Sequence, residues 1–125
     1  MATLDDVFSE DFLDHVSGRT GRGIWGVVTA WSRESFADQR LELHAIMTSG
    51  DLVSVWFTMS ARHIGNGFPF LCGRPVTGRT VSWQHVHLFR CADASFAEHW
   101  AVRDDLSLLH QIDAPTPSAT EPLDQ

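Results

Sequence analysis

The chain has 125 residues, 43% of them hydrophobic, and a formal net charge of −7. That is the size and composition of one globular domain with room for a core and one ligand-sized cavity. The acidic balance excludes the basic stripe of a nucleic-acid binder, and no apolar run approaches the roughly 18 residues of a membrane span. The first residues carry no signal-peptide core, so a cytoplasmic protein is expected, with Cys72 and Cys91 as free thiols. All nine basic residues are arginine, and tyrosine is absent. Lysine imines and tyrosine phenols are therefore outside this chain's chemistry.

Residues 1–9 are acidic, with Leu4, Val7 and Phe8 at helical spacing, and predict one helical turn. Residues 10–16 read as a short strand. Residues 17–23 read as a turn, whose glycines lack the spacing of a dinucleotide loop. Thr20 is a candidate N-cap. Ile24, Val27, Val28, Trp31 and Phe36 recur at three- and four-residue steps with a longer last step, which predicts an amphipathic helix over about 21–36. Residues 41–47 alternate as a strand, 48–51 make a hairpin turn, and 52–64 form a long strand. On that strand Val53, Val55, Phe57, Met59 and Ala61 share a face. Residues 65–78 form a loop rich in glycine and proline. Its Phe68 and Phe70 suggest a lid over a cavity. In the next strand, 79–91, Val81, Trp83, His85, His87 and Phe89 share a face. A turn at 92–95 leads to a last strand, 96–102, and then to a short helix or turn. Residues 114–125 hold three of the five prolines and no aromatics, and read as a disordered tail. The order implies an α+β fold: a curved antiparallel sheet with helix packed on its concave side.

His85 and His87 project from one strand face together with Trp83 and Phe89, a stripe suited to a pocket wall. As a metal pair they lack an acidic partner in the residues that follow, Phe89-Arg90-Cys91-Ala92, so no metal is expected. His99 faces the side opposite to Glu98 and Trp100. His15 and His99 could each reach a central cavity from different elements. The period changes at 102–105, which puts Asp104 and Asp105 at a strand end beside Arg103. A carboxylate there can do acid/base work at carbon, and it can equally N-cap the turn that follows. One aspartate can cap while the other does chemistry.

Four stretches carry a resemblance: Val76-Thr77-Gly78-Arg79-Thr80-Val81-Ser82-Trp83, His87-Leu88-Phe89-Arg90, Phe96-Ala97-Glu98-His99-Trp100 and Asp104-Asp105-Leu106-Ser107-Leu108-Leu109-His110-Gln111-Ile112. Together with Asp11-Phe12-Leu13-Asp14-His15 and Gly21-Arg22-Gly23-Ile24, they resemble the SnoaL-like polyketide cyclase family over roughly residues 8–112. The resemblance implies a cone-shaped α+β barrel of the nuclear-transport-factor-2 type over residues 1–113. It implies a cyclase or isomerase, working by intramolecular aldol ring closure or by proton transfer next to a carbonyl on a small hydrophobic, aromatic or polyketide-like substrate, with no metal or organic cofactor. One aspartate would serve as general acid/base. By its position relative to Trp100 that residue is Asp104, partly dry against the tryptophan. His87, and His85 beside it, would donate to the enolate oxygen. His15, Trp31, Phe68, Trp83, His85, His99 and Trp100 would line the cavity, and a homodimer is expected. The chain departs from the family pattern in its short N-terminal segment, in Ser107 and Asp113 where glycines are usual, and in a hairpin at 92–95 without glycine. The rival readings are a non-catalytic ligand-binding or dimerisation module, a hydroxylase-like member, or an epoxide hydrolase. The hydrolase would need a second carboxylate from Asp14, Asp38 or Glu42.

Overall fold

A computed structural model describes residues 7–115. The strands are β1 (Phe8–Asp14), β2 (Arg19–Thr20), β3 (Phe36–Ser49), β4 (Leu52–His63), β5 (Thr80–Ala92) and β6 (Ser95–Arg103). The helices are α1 (Ile24–Ser35) and α2 (Asp105–Asp113), with a 3-10 turn at Pro69–Leu71. The helical turn expected over residues 1–9 falls mostly outside the described residues, as does most of the tail expected from residue 114. No helix among the described residues is long and apolar enough to cross a membrane.

All six strands join one open sheet in the order β2-β1-β6-β5-β4-β3. The α+β class and the curved sheet match the expectation. The sheet is mixed, because β1 lies parallel to β6 while the other pairs are antiparallel. A parallel pair needs a long crossover, and here the crossover is most of the chain. Bulges bend the sheet: the register shifts between Ala37 and Arg40, between Leu43 and Ala45, and between Arg90 and Cys91. The first bulge, with Asp38 at φ 54, breaks the alternation of residues 36–40. For that reason β3 runs five residues further toward the N-terminus than its sequence pattern shows. Thr20 lies in β2 and caps nothing; Gly23 is the N-cap of α1.

Period two on β5 builds the interior. Val81 and Trp83 belong to one core cluster, with Phe36, Ala61, Leu71, Leu108 and Ile112. Phe89 packs against a second cluster of Phe8, Phe12 and Ile24. His85 and His87 lie on the same face between the two. Burying these apolar side chains supplies most of the stability, at roughly 1.5–3 kcal/mol each.

The loop after β4 is fastened to the end of α1. The buried Ser35 hydroxyl accepts from the backbone N–H of Gly67 (2.9 Å) and of Phe68 (3.2 Å). A Cβ at residue 65 would stand 2.3 Å from the Glu34 carbonyl oxygen, so only glycine allows this approach. The aromatic loop expected to act as a lid is thus tied at residues 65–68 to the end of α1.

Asp93 and Ala94 make the two-residue turn between β5 and β6, at φ 50 and φ 64. Both positive angles suit a type I′ hairpin, whose second position favours glycine. Replacing Ala94 by Gly relieves left-handed strain and gives back part of the gain as chain entropy, for a net stabilisation of about 0.5–1 kcal/mol. Thermal unfolding should show Tm higher by a few degrees. An unchanged or lower Tm would count against this account of the turn.

Candidate active site

A cavity of about 210 Å³ lies between α1 and the concave face of the sheet. Its sheet side is Phe57 and Met59 from β4 with Trp83, His85 and His87 from β5. Phe68 and Phe70 come from the fastened loop, and Val28 and Ser32 from α1. Arg103 and Asp105 supply the charged part of the lining. The Arg103 guanidinium sits 5.8 Å from the centre of the Phe70 ring and donates to Asp105 Oδ2 at 3.1 Å.

The two adjacent aspartates point in different directions, and only one of them lines the cavity. Asp104 is exposed, and its Oδ1 accepts from the Ser107 backbone N–H at 3.1 Å, so it N-caps α2. Successive residues at a helix start point about 100° apart, so Asp105 faces the cavity instead. Its Oδ1 is buried and has no hydrogen-bond partner among the described residues. The expected placement of Asp104, dry against Trp100, is therefore corrected.

Trp100 and His15 do not line the cavity either. Alternation on β6 turns Glu98 and Trp100 to the outer face and His99 inward. Outside, His15 stacks on Trp100 with ring centres 4.5 Å apart and bonds Glu98 Oε2 at 2.7 Å. Trp31 leans on Phe68 behind the wall, 5.9 Å between rings. Of the residues expected to contact substrate, the cavity brings together His85, His87, Trp83 and Phe68. Phe70 was expected only as part of the lid, and Arg103 was not singled out, although the step of two from His99 through Ala101 already points Arg103 inward.

His99 is 4% exposed and belongs to a hydrogen-bonded chain behind the cavity. Asp14 Oδ1 meets His99 Nδ1 at 2.8 Å, His99 Nε2 meets His87 Nδ1 at 2.8 Å, and His87 Nε2 meets His85 Nδ1 at 3.2 Å. The rings bond in series rather than converging on a point. Among the described residues no three His, Cys, Asp or Glu side chains group as metal donors. A second cavity of about 60 Å³, touching Asp14, His99, His87 and Trp25, lies at the other end of the chain.

Burial, then the neighbouring His87 and Arg103 charges, hold the His85 imidazole down to about 3. Burial also holds His87 down to about 4, helped by His99 and Arg103. Burial lowers His99 too, against the pull of Asp14. For Asp14 burial acts upward, but the bonds from His99, Ser17 and Val16 together lower its pKa. A neutral imidazole ladder ending on a carboxylate is the state these directions describe.

Residues 1–112 match the family model of SnoaL-like polyketide cyclases. The chain belongs to the SnoaL-like polyketide cyclase family. It is 27% identical over 116 residues to aklanonic acid methyl ester cyclase DauD of Streptomyces sp. strain C5, covering 92% of this chain and 70% of that one. It is 28% identical over 107 residues to aklanonic acid methyl ester cyclase DnrD of Streptomyces peucetius, covering 85% and 71%. Among solved structures, TsrD of Streptomyces laurentii superposes with TM-score 0.75 at 26% identity, over 90% of this chain and 81% of that one. In this SnoaL-like chain the histidine ladder lies on the inner sheet face.

The ladder has a consequence for stability in this SnoaL-like domain. In the unfolded chain the three histidines take up protons near the ordinary value of 6.5; folded, they resist. The unfolded state thus binds more protons below about pH 6.5, and stability falls as pH drops from there toward 4. Asp14 adds a loss of the same sign below its ordinary 3.8. Urea unfolding at pH 7 and pH 5 should give a lower midpoint at pH 5. In a His87→Phe variant the pH slope should shrink by about one proton. A flat midpoint across this range would refute the neutral ladder.

Proposed function

We propose that this chain is a polyketide cyclase that closes a ring by intramolecular aldol condensation, with Asp105 as general acid/base and no cofactor. The observation that carries the reading is Asp105, a residue of the apolar cavity's lining whose Oδ1 is buried and has no partner among the described residues. A buried polar atom left without a partner costs about 1–3 kcal/mol, and such a cost is tolerated where a ligand meets the group. Asp105 takes the proton from a carbon next to a carbonyl. The N–H groups of Arg103 face the oxygen on which the enolate charge collects. The enolate carbon then attacks a second carbonyl of the same substrate, and Asp105 returns the proton to the new alkoxide. His87 acts from behind His85. At about 210 Å³ the cavity is below the usual range for ligand pockets, so one or two rings fit inside and the rest of the substrate projects through the mouth.

Two variants separate the aspartates, assayed on ring closure of aklanonic acid methyl ester, the compound in the relatives' names. Asp105→Asn should lower turnover by about 10²–10⁴-fold and stay folded. Asp104→Ala should keep turnover and lose about 1 kcal/mol of stability as a lost helix cap. Full turnover in the first variant, or its collapse in the second, would reverse the assignment. Binding without turnover in the unaltered protein favours the ligand-binding module instead.

A homodimer is proposed on separate grounds. β3 is the outer strand of the sheet, and its Leu41, Leu43, Ile46 and Met47 are each more than half exposed. A long apolar edge of this kind invites a second copy of the same strand. Sedimentation should show dimers that dissociate on dilution. A monomer at every concentration would rule the contact out.

A further inference from the structure

The hydrogen-bonded chain behind the cavity has a direction, and Asp14 sets it. A carboxylate only accepts. Asp14 Oδ1 accepts from the Val16 backbone N–H at 3.2 Å, and Oδ2 accepts from the Ser17 backbone N–H at 3.3 Å and the Ser17 hydroxyl at 2.7 Å. His99 must therefore present Nδ1–H to Asp14 Oδ1. A neutral imidazole has one N–H, so His99 Nε2 is bare and accepts from His87 Nδ1–H. The same rule leaves His87 Nε2 bare to accept from His85 Nδ1–H. The chain ends at His85 Nε2, a bare lone pair that is buried and has no partner among the described residues.

We propose that the Asp14–His99–His87 chain fixes His85 as a hydrogen-bond acceptor for a hydroxyl of the substrate, either a phenol or an enol. Asp14, His99 and His87 are positioning residues that act through His85. The inference rests on the cyclase reading only in taking this cavity as the substrate site. Ring stacking supports it. His85 lies parallel to Phe57 with ring centres 4.8 Å apart and edge to edge with His87, so its ring cannot tip toward another partner without losing the Phe57 stack and the His87 bond. The other uncommitted polar atom of this wall, Asp105 Oδ1, is also an acceptor. A ligand that brings a carbonyl or an ether oxygen to His85 sets lone pair against lone pair. A hydroxyl-bearing aromatic fills the same space and satisfies the nitrogen.

The polarity can be read without turnover. Nitrogen-15 NMR of the imidazoles should show His85, His87 and His99 as Nδ1–H tautomers. His63 is an internal reference of opposite sense: its Nε2 faces Asn66 Oδ1 at 3.0 Å, and its Nδ1 accepts from the Thr77 backbone N–H. In titrations, 2-naphthol should bind about tenfold or more tightly than 2-methoxynaphthalene. That preference should vanish in His85→Phe and shrink in His87→Phe, which keeps an aromatic ring at 87 and removes the acceptor for His85 Nδ1–H. An Nε2–H tautomer at His85, or equal affinity for the two probes in the unaltered protein, would overturn the proposal. If neither probe binds, the tautomer decides alone. Loss of turnover with these readouts intact would count against the cyclase reading and leave this inference standing.

Discussion

The contact on which the site depends is the bond between the Asp14 carboxylate and His99. Both partners are almost wholly enclosed, at 5% and 4% exposed. An ionised carboxylate in such a place is costly unless its lone pairs are met. Here the turn after β1 meets them with two backbone N–H groups and a hydroxyl, and the imidazole supplies the fourth donor. The same bond joins β1 to β6 beside the parallel register pair Asp14 and His99. Packing and electrostatics are thus settled by one contact. If it were lost, the strand would keep its apolar anchors Phe8 and Phe12, but the imidazoles behind the cavity would have no fixed orientation.

The cavity follows from β5. Its inward face carries apolar residues at both ends and imidazoles in the middle, so two cores form with a polar seam between them. α1 crosses above the seam and the fastened loop closes the side. Charge enters at one corner only, through Arg103 and Asp105, whose proximity orients the carboxylate and puts a cation beside it. The surrounding walls are largely aromatic, and an apolar lining strengthens the charged interactions made at that corner.

Much of this was legible from residue order. Alternation on β5 set Trp83, His85 and His87 on one face, and the family resemblance supplied the fold. The choice between the aspartates was not legible, because strand parity stops where α2 begins and the cap geometry decides which side chain turns inward. Position relative to Trp100 pointed to Asp104. Yet the same parity that turns His99 inward carries Trp100 outward, so the tryptophan was a poor marker for the cavity. Asp14 was named only as a possible second carboxylate for a hydrolase. Its partner is 85 residues away, and no local pattern reports such a distance. β3 was read too short because a bulge shifts its period.

The parallel pairing of β1 with β6 bears on how the molecule comes into being. β1 is the first described strand in chain order, and β6, its neighbour in the sheet, is the last. The hairpins of β3 to β6 can zip locally, whereas β1 must wait and then close the largest loop in the chain, a slow and entropically costly event. The Asp14–His99 bond spans that same closure, so the imidazole chain gains its fixed orientation only once β1 lies against β6.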